Sequence, residues 1–98
     1  MPAHVATLEV ELHLPLAQSL KAKRAVLRPL IEGLRHRFSV AVAEVEHQDR
    51  WQRAEVAVAA VAGSPSHVSD VLDACERFVW SHPDIEVIAC NRRWLDDA

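Results

Sequence analysis

No tyrosine occurs in this chain, and the segments that read as strands carry no aromatic side chain. That excludes the mechanism by which small α+β RNA readers stack bases on exposed Phe or Tyr of their central strands. Only two cysteines are present, Cys75 and Cys90. They fall in a helix-like and a strand-like segment without the paired spacing of a zinc site, and they read as buried, reduced thiols. No apolar run approaches the roughly 20 residues of a membrane span, and "MPAHVATLEVELHL" lacks a basic region followed by an apolar one. A cytoplasmic protein with no membrane partner is expected. No serine or histidine stands in a nucleophile motif; Ser19, Ser39, Ser64 and Ser66 read as caps or strand starts. His4, His13 and Cys90 have no second spaced pair to complete a metal site. No catalytic residue, metal or cofactor is expected, and a polar pocket around Glu44 and Glu46 would be needed to favour an enzyme.

What is present points to one globular unit. Half of the residues are hydrophobic and 26% are charged, a balance that excludes a disordered tail or a collagen-like chain. The 98 residues suit one domain, 1–98, around one core. Residues 4 to 14 alternate, with Ala6, Leu8, Val10, Leu12 and Leu14 on one side, and predict a half-buried strand. Ser19 is a good N-cap, and from Leu20 to Phe38 apolar residues recur at helical spacing. Pro29 falls on the solvent side of that helix, as a kink. "SVAVAEVEH", Ser39 to His47, and "AEVAVAAVA", Ala54 to Ala62, predict a hairpin with Trp51 near its turn. Ser64 and Pro65 open a second helix, which "HPD" closes, and Ile85 to Asn91 form a last strand. The order β-α-β-β-α-β predicts a ferredoxin-like α+β sandwich, a four-stranded antiparallel sheet with two helices on one face. Its uncovered face should carry Glu9, Glu11, Glu55 and Glu86 among Thr7, Ala57, Ala59, Val61 and Ile88, a surface suited to a subunit interface.

The charge distribution is less ordinary. The formal net charge is -3, yet "SLKAKRAVLR" crowds Lys21, Lys23, Arg24 and Arg28 at a helix start. The macrodipole disfavours a cation there by roughly 0.3–1 kcal/mol. With Leu20 at the centre of the apolar stripe, Lys21, Arg24, Arg28 and Arg35 form a ridge on one flank, and Lys23 and Arg37 lie on the other. Three readings stay open: stems draped over the core rim with heads in water, an anion or phosphate site, or a contact with a protein or a second copy. Trp51, between Arg50 and Arg53, either plugs the end of the core or offers a stacking surface. Trp80 and Trp94 are expected to cap opposite ends of the second helix and last strand.

"SLKAKR", "FSVAVAE" and "QDRWQRA" together resemble the YlxP-like family of small bacterial proteins, a domain of unknown function. In that family a Ser-Leu-Lys-x-Lys-Arg helix start precedes a Phe-Asn-Val-Ser-Val-Ala-Glu strand and a Gln-Asp-x-Trp-Gln-Arg-Ala hairpin. The present chain departs in Ser39, Ala41 and Pro29. The resemblance implies a ferredoxin-like fold and no known enzymatic activity. It also implies a link to RNA or the ribosome, because family members are often encoded beside transcription, translation and ribosome-maturation genes. The expected function is therefore a non-enzymatic binding protein, using Lys21, Lys23, Arg24, Arg28 and Arg35, with Arg50, Trp51 and Arg53, against RNA phosphates or a ribosomal partner. The alternative is a structural or regulatory module that self-associates through its open sheet face.

Overall fold

Alternating burial builds the central strand of the sheet. In β1 (His4–His13), Ala6, Leu8, Val10 and Leu12 are buried while the intervening residues stay half-exposed. The computed structural model describes residues 3–95. The remaining elements are α1 (Leu20–Phe38), β2 (Ala41–Glu46), β3 (Arg53–Ala62), α2 (Pro65–Trp80) and β4 (Glu86–Trp94). The strands run in the order β2-β3-β1-β4, every pairing antiparallel, which with the β-α-β-β-α-β sequence is the ferredoxin-like arrangement.

Both helices begin where their caps dictate. The Ser19 hydroxyl accepts from the Ala22 amide at 3.0 Å, and the Ser64 hydroxyl from the His67 amide at 3.3 Å, with Pro65 supplying no donor to leave unpaired. α1 ends on Ser39 in the left-handed region, φ 53°, whose amide donates to the Arg35 carbonyl. α1 packs on β2 and on α2, and α2 lies across β1, β3 and β4. The core joins Leu8, Leu12, Val56 and Val58 of the sheet to Leu30, Leu34, Leu72 and Val79 of the helices. Each such side chain contributes about 1.5–3 kcal/mol on burial. Gly33 permits the helix contact: a Cβ there would come within 2.6 Å of Phe78 Cζ. Phe78 in turn meets Phe38 edge-on at 5.6 Å.

Pro29 is exposed, as expected, and α1 runs through it as one element. Three expectations need correction. The last strand continues to Trp94 instead of ending at Asn91, because its final residues are held by charge: Arg92 meets Asp73 at 2.7 Å and Glu76 at 3.2 Å, and Arg93 meets Glu9 at 2.6 Å. The strands are therefore not free of aromatic residues. Trp94 pairs with Ala6 and so shares the helix-side face, which leaves the described open face without Phe, Tyr or Trp. Finally, Trp80 and Trp94 seal nothing, since both are exposed. The open face carries rows of opposed residues: Ala41, Ala59, Thr7 and Arg93, then Ala43, Ala57, Glu9 and Asn91.

Candidate functional site

Two lysines two residues apart on α1 have opposite fates. Lys21 is exposed, whereas Lys23 is 2% exposed and belongs to the buried stripe with Leu27, Leu30 and Leu34. The centre of that stripe lies about 50° from Leu20, almost on Lys23, at about 100° per residue. Its ammonium donates to the His47 carbonyl at 2.6 Å and sits 2.8 Å from Glu44 Oε2. Lys23 is thus withdrawn from any surface cluster. It fastens the first turns of α1 to the end of β2.

A second set of bonds completes this staple. The Gln52 amide donates to the Pro15 and Ala17 carbonyls at 3.2 and 3.3 Å, and the Leu14 amide donates to the Gln52 carbonyl at 3.0 Å. The β2–β3 turn is thereby held against the β1–α1 connection. Lys23, Glu44, Gln52 and Ser19, four of the residues on which the family resemblance rests, are explained by this architecture.

Moving the stripe toward Lys23 carries the basic ridge away from the core. Lys21, Arg24 and Arg28 are exposed, and among the described residues none of the three lies within ion-pair distance of an acid. Arg24 and Arg28 form a crest between two depressions. On the outer side is a hollow of about 430 Å³ that Lys21 and Pro29 also line. On the inner side, between α1 and β2, is a groove of about 390 Å³ with Leu20, Leu27 and Ile31 as its apolar lining and Lys23, Glu44 and Gln48 among its polar groups.

The other predicted residues divide. Arg35 lines the same groove but donates to the Val42 carbonyl at 2.7 Å and lies 3.6 Å from Glu32, so its charge is partly committed. Arg53 donates to Glu11 Oε2 at 2.6 Å, on the open sheet face, apart from the ridge. Arg50 and Trp51 occupy the stapled turn; Trp51 is 52% exposed and plugs nothing. Glu44, foreseen only as the centre of the polar pocket an enzyme would need, does line this groove, and Gln48 was not foreseen at all, because the groove exists only once α1 and β2 are juxtaposed.

The two thiols are free. Burial pushes the Cys75 thiol up to about 11 from its ordinary 9.0, an inert state. Cys90 is also raised, by burial and then by Glu76.

The family model described as "Protein of unknown function (DUF503)" matches residues 5–92. The chain belongs to the DUF503 family. A relative within reach of it, the uncharacterized protein YlxP of Bacillus subtilis (strain 168), is 36% identical over 79 residues, covering 81% of this chain and 86% of that protein. Among solved structures, the de novo designed protein Foldit4 superposes with a TM-score of 0.56 at 15% identity, covering 98% of this chain and 99% of that one. At that identity the likeness concerns the fold alone. For this DUF503 chain, no helix among the described residues is long and apolar enough to cross a membrane.

Proposed function

We propose that the protein is a non-enzymatic RNA-binding module, acting in the cytoplasm on ribosomal or other structured RNA through Lys21, Arg24 and Arg28 of α1, together with Arg50 and Trp51 of the stapled β2–β3 turn. The observation that carries this reading is the exposed, acid-free ridge on a protein whose formal net charge is -3. Arg53, Arg92 and Arg93, by contrast, are matched to carboxylates, whereas Arg37, Arg50 and Arg77 have none within ion-pair distance among the described residues. Cations left unmatched at a helix start, where the dipole opposes them, are available to phosphate, and the amides of the first turn favour the same charge. Lys23 is a structural residue in this reading, not a ligand-binding one. Turnover is not proposed: Glu44 is engaged by Lys23, and the groove is lined by neither a histidine nor a serine, threonine or cysteine.

The test is fluorescence anisotropy of a labelled ribosomal RNA fragment across a salt series. Binding whose affinity falls steeply with salt is expected, because each neutralised phosphate releases counterions. Absence of binding at low salt contradicts the reading.

A second reading, self-association through the sheet, is favoured by one observation. Val61 is 68% exposed and opposes Val5, beside the small residues Ala41, Ala43, Ala57 and Ala59. A second copy is the occupant proposed. Light scattering that reports a dimer, dissociated by Ala59→Glu but not by Arg24→Ala, would establish it; a monomer at high concentration would dismiss it.

A further inference from the structure

We infer that the groove between α1 and β2 is a nucleotide pocket, taking an unstacked guanine base whose phosphate lies on the Arg24–Arg28 crest. The inference rests on the RNA-binding reading and adds to it the strandedness and the base. Three features of the groove argue for it. Its size, about 390 Å³, falls within the range of small-ligand sites. Leu20, Leu27 and Ile31 offer an aliphatic surface to the flat face of a base, while Arg24 and Arg28 stand on the rim between this groove and the outer hollow. At the β2 end lies the Glu44 carboxylate: Oε2 is buried against the Lys23 ammonium at 2.8 Å, while the side chain is 24% exposed in the groove wall and Oε1 meets no donor among the described residues. An ionised carboxylate only accepts, and this one has more acceptor capacity than the protein fills.

A ligand complementary to these groups is an anion at one end, flat and apolar in the middle, and a donor at the other. Of the four bases, guanine alone presents two adjacent donors, N1–H and the N2 amino group. Adenine and cytosine set a ring-nitrogen acceptor beside their amino group, and uracil flanks its N–H with two carbonyls, so each turns an acceptor toward the carboxylate. A duplex hides this edge in base pairing, so single strands, loops or free nucleotides are the sources.

The experiment uses labelled RNA octamers of equal charge: all uridine, uridine with one central guanosine, and the same with inosine, which lacks the N2 amino group. Guanosine should bind about tenfold more tightly than all-uridine, with inosine between. Glu44→Gln should erase the preference while leaving the salt dependence. Should that variant not fold, the inosine comparison decides with the wild-type protein alone. Displacement of the guanosine octamer by GMP and not by UMP at equal concentration assigns the pocket to free nucleotides as well; failure of GMP to displace it assigns the pocket to RNA. Equal affinity for guanosine and uridine octamers overturns the pocket and leaves the ridge standing. Displacement by an acidic peptide but by neither nucleotide, with no guanosine preference, overturns it in favour of a protein ligand. If no octamer binds at low salt the ridge reading fails, and if GMP also fails to bind the pocket falls with it.

Discussion

Along α2 and β4, Arg92 lies 2.7 Å from Asp73 and 3.2 Å from Glu76, and Arg93 lies 2.6 Å from Glu9. Along the outer side of α1, Lys21, Arg24 and Arg28 face water with no such neighbour among the described residues. A net charge of -3 conceals this division. Glu9, Asp73 and Glu76 neutralise Arg92 and Arg93 on the first flank, while the one acid of α1, Glu32, lies beside Arg35 and His36, so Lys21, Arg24 and Arg28 are left cationic. On the first flank arginine closes a strand onto the sheet; on the second it is available to something outside the molecule. Function is more credibly sought where charge is unmatched than where it is merely abundant.

The sharpest way to break the comparison is to ask whether α1 is basic for its own stability. Lys23 is, and Lys23→Ala should destabilise the fold by about 3–5 kcal/mol, since it strands Glu44 and frees the His47 carbonyl. Urea unfolding measures this. The paired change Lys23→Met with Glu44→Leu should recover much of the loss. A cost under about 1 kcal/mol for Lys23→Ala would mean that the staple is solvated and that Lys23 belongs with the ridge after all.

Gly33→Ala probes the seam between the flanks. Its new methyl group must displace the Phe78 ring, which is held against Phe38 and beneath Arg37, and a net loss of about 1–2 kcal/mol is expected after the gain in helix propensity. Thermal unfolding reads it. An unchanged or raised melting temperature would show that Phe78 moves freely.

The α2–β4 flank has its own pH signature. The folded-state Cys75 thiol titrates near 11, above its ordinary 9.0. A raised value favours the protonated thiol in the folded state, so this contribution to stability is intact below about pH 9 and is lost as pH climbs toward about 11. Urea midpoints measured across that window should fall for the wild type and fall less for Cys75→Ala. Equal slopes would contradict the burial of this thiol.

The smallest expected effect completes the comparison. Arg92→Ala removes a partly exposed pair and should cost about 0.2–1 kcal/mol, with no change in RNA affinity beyond that of one distant charge.

Much of the fold was legible because it depends on local repetition. Leu8, Val10 and Leu12 alternate, Ser19 and Ser64 stand at cap positions, and small residues mark β3, so the element order follows directly. β4 escaped in part because Arg92 and Arg93 are strand residues held by acids from α2 and β1, which no periodicity of apolar residues reports. Lys23 escaped for a related reason. Its spacing to Leu27, Leu30 and Leu34 is that of a core position, but a lysine is assigned to water until Glu44 and the His47 carbonyl are brought beside it. The departure at Ser39 also gains a meaning that is structural. The position is a left-handed helix cap, φ 53°, a conformation that asparagine adopts more readily than serine.

The ridge was legible as a cluster of charges, and its detachment from Lys23, Arg35 and Arg53 was not. Each of those three is bound by a partner on another element, respectively Glu44, the Val42 carbonyl and Glu11. What remains after these subtractions is a narrower site, with Arg24 and Arg28 on its crest.

The most direct measurement compares two double variants that change net charge equally: Arg24→Ala with Arg28→Ala on the open flank, and Arg92→Ala with Arg93→Ala on the neutralised one. Anisotropy of a labelled single-stranded RNA is followed from low to physiological salt. The first pair should weaken binding and flatten the salt slope by about 1.4 log units, at about 0.7 per lost phosphate contact, while the second retains the wild-type slope. Equal losses from the two pairs would show that RNA responds only to overall charge, and would contradict the assignment of the α1 ridge.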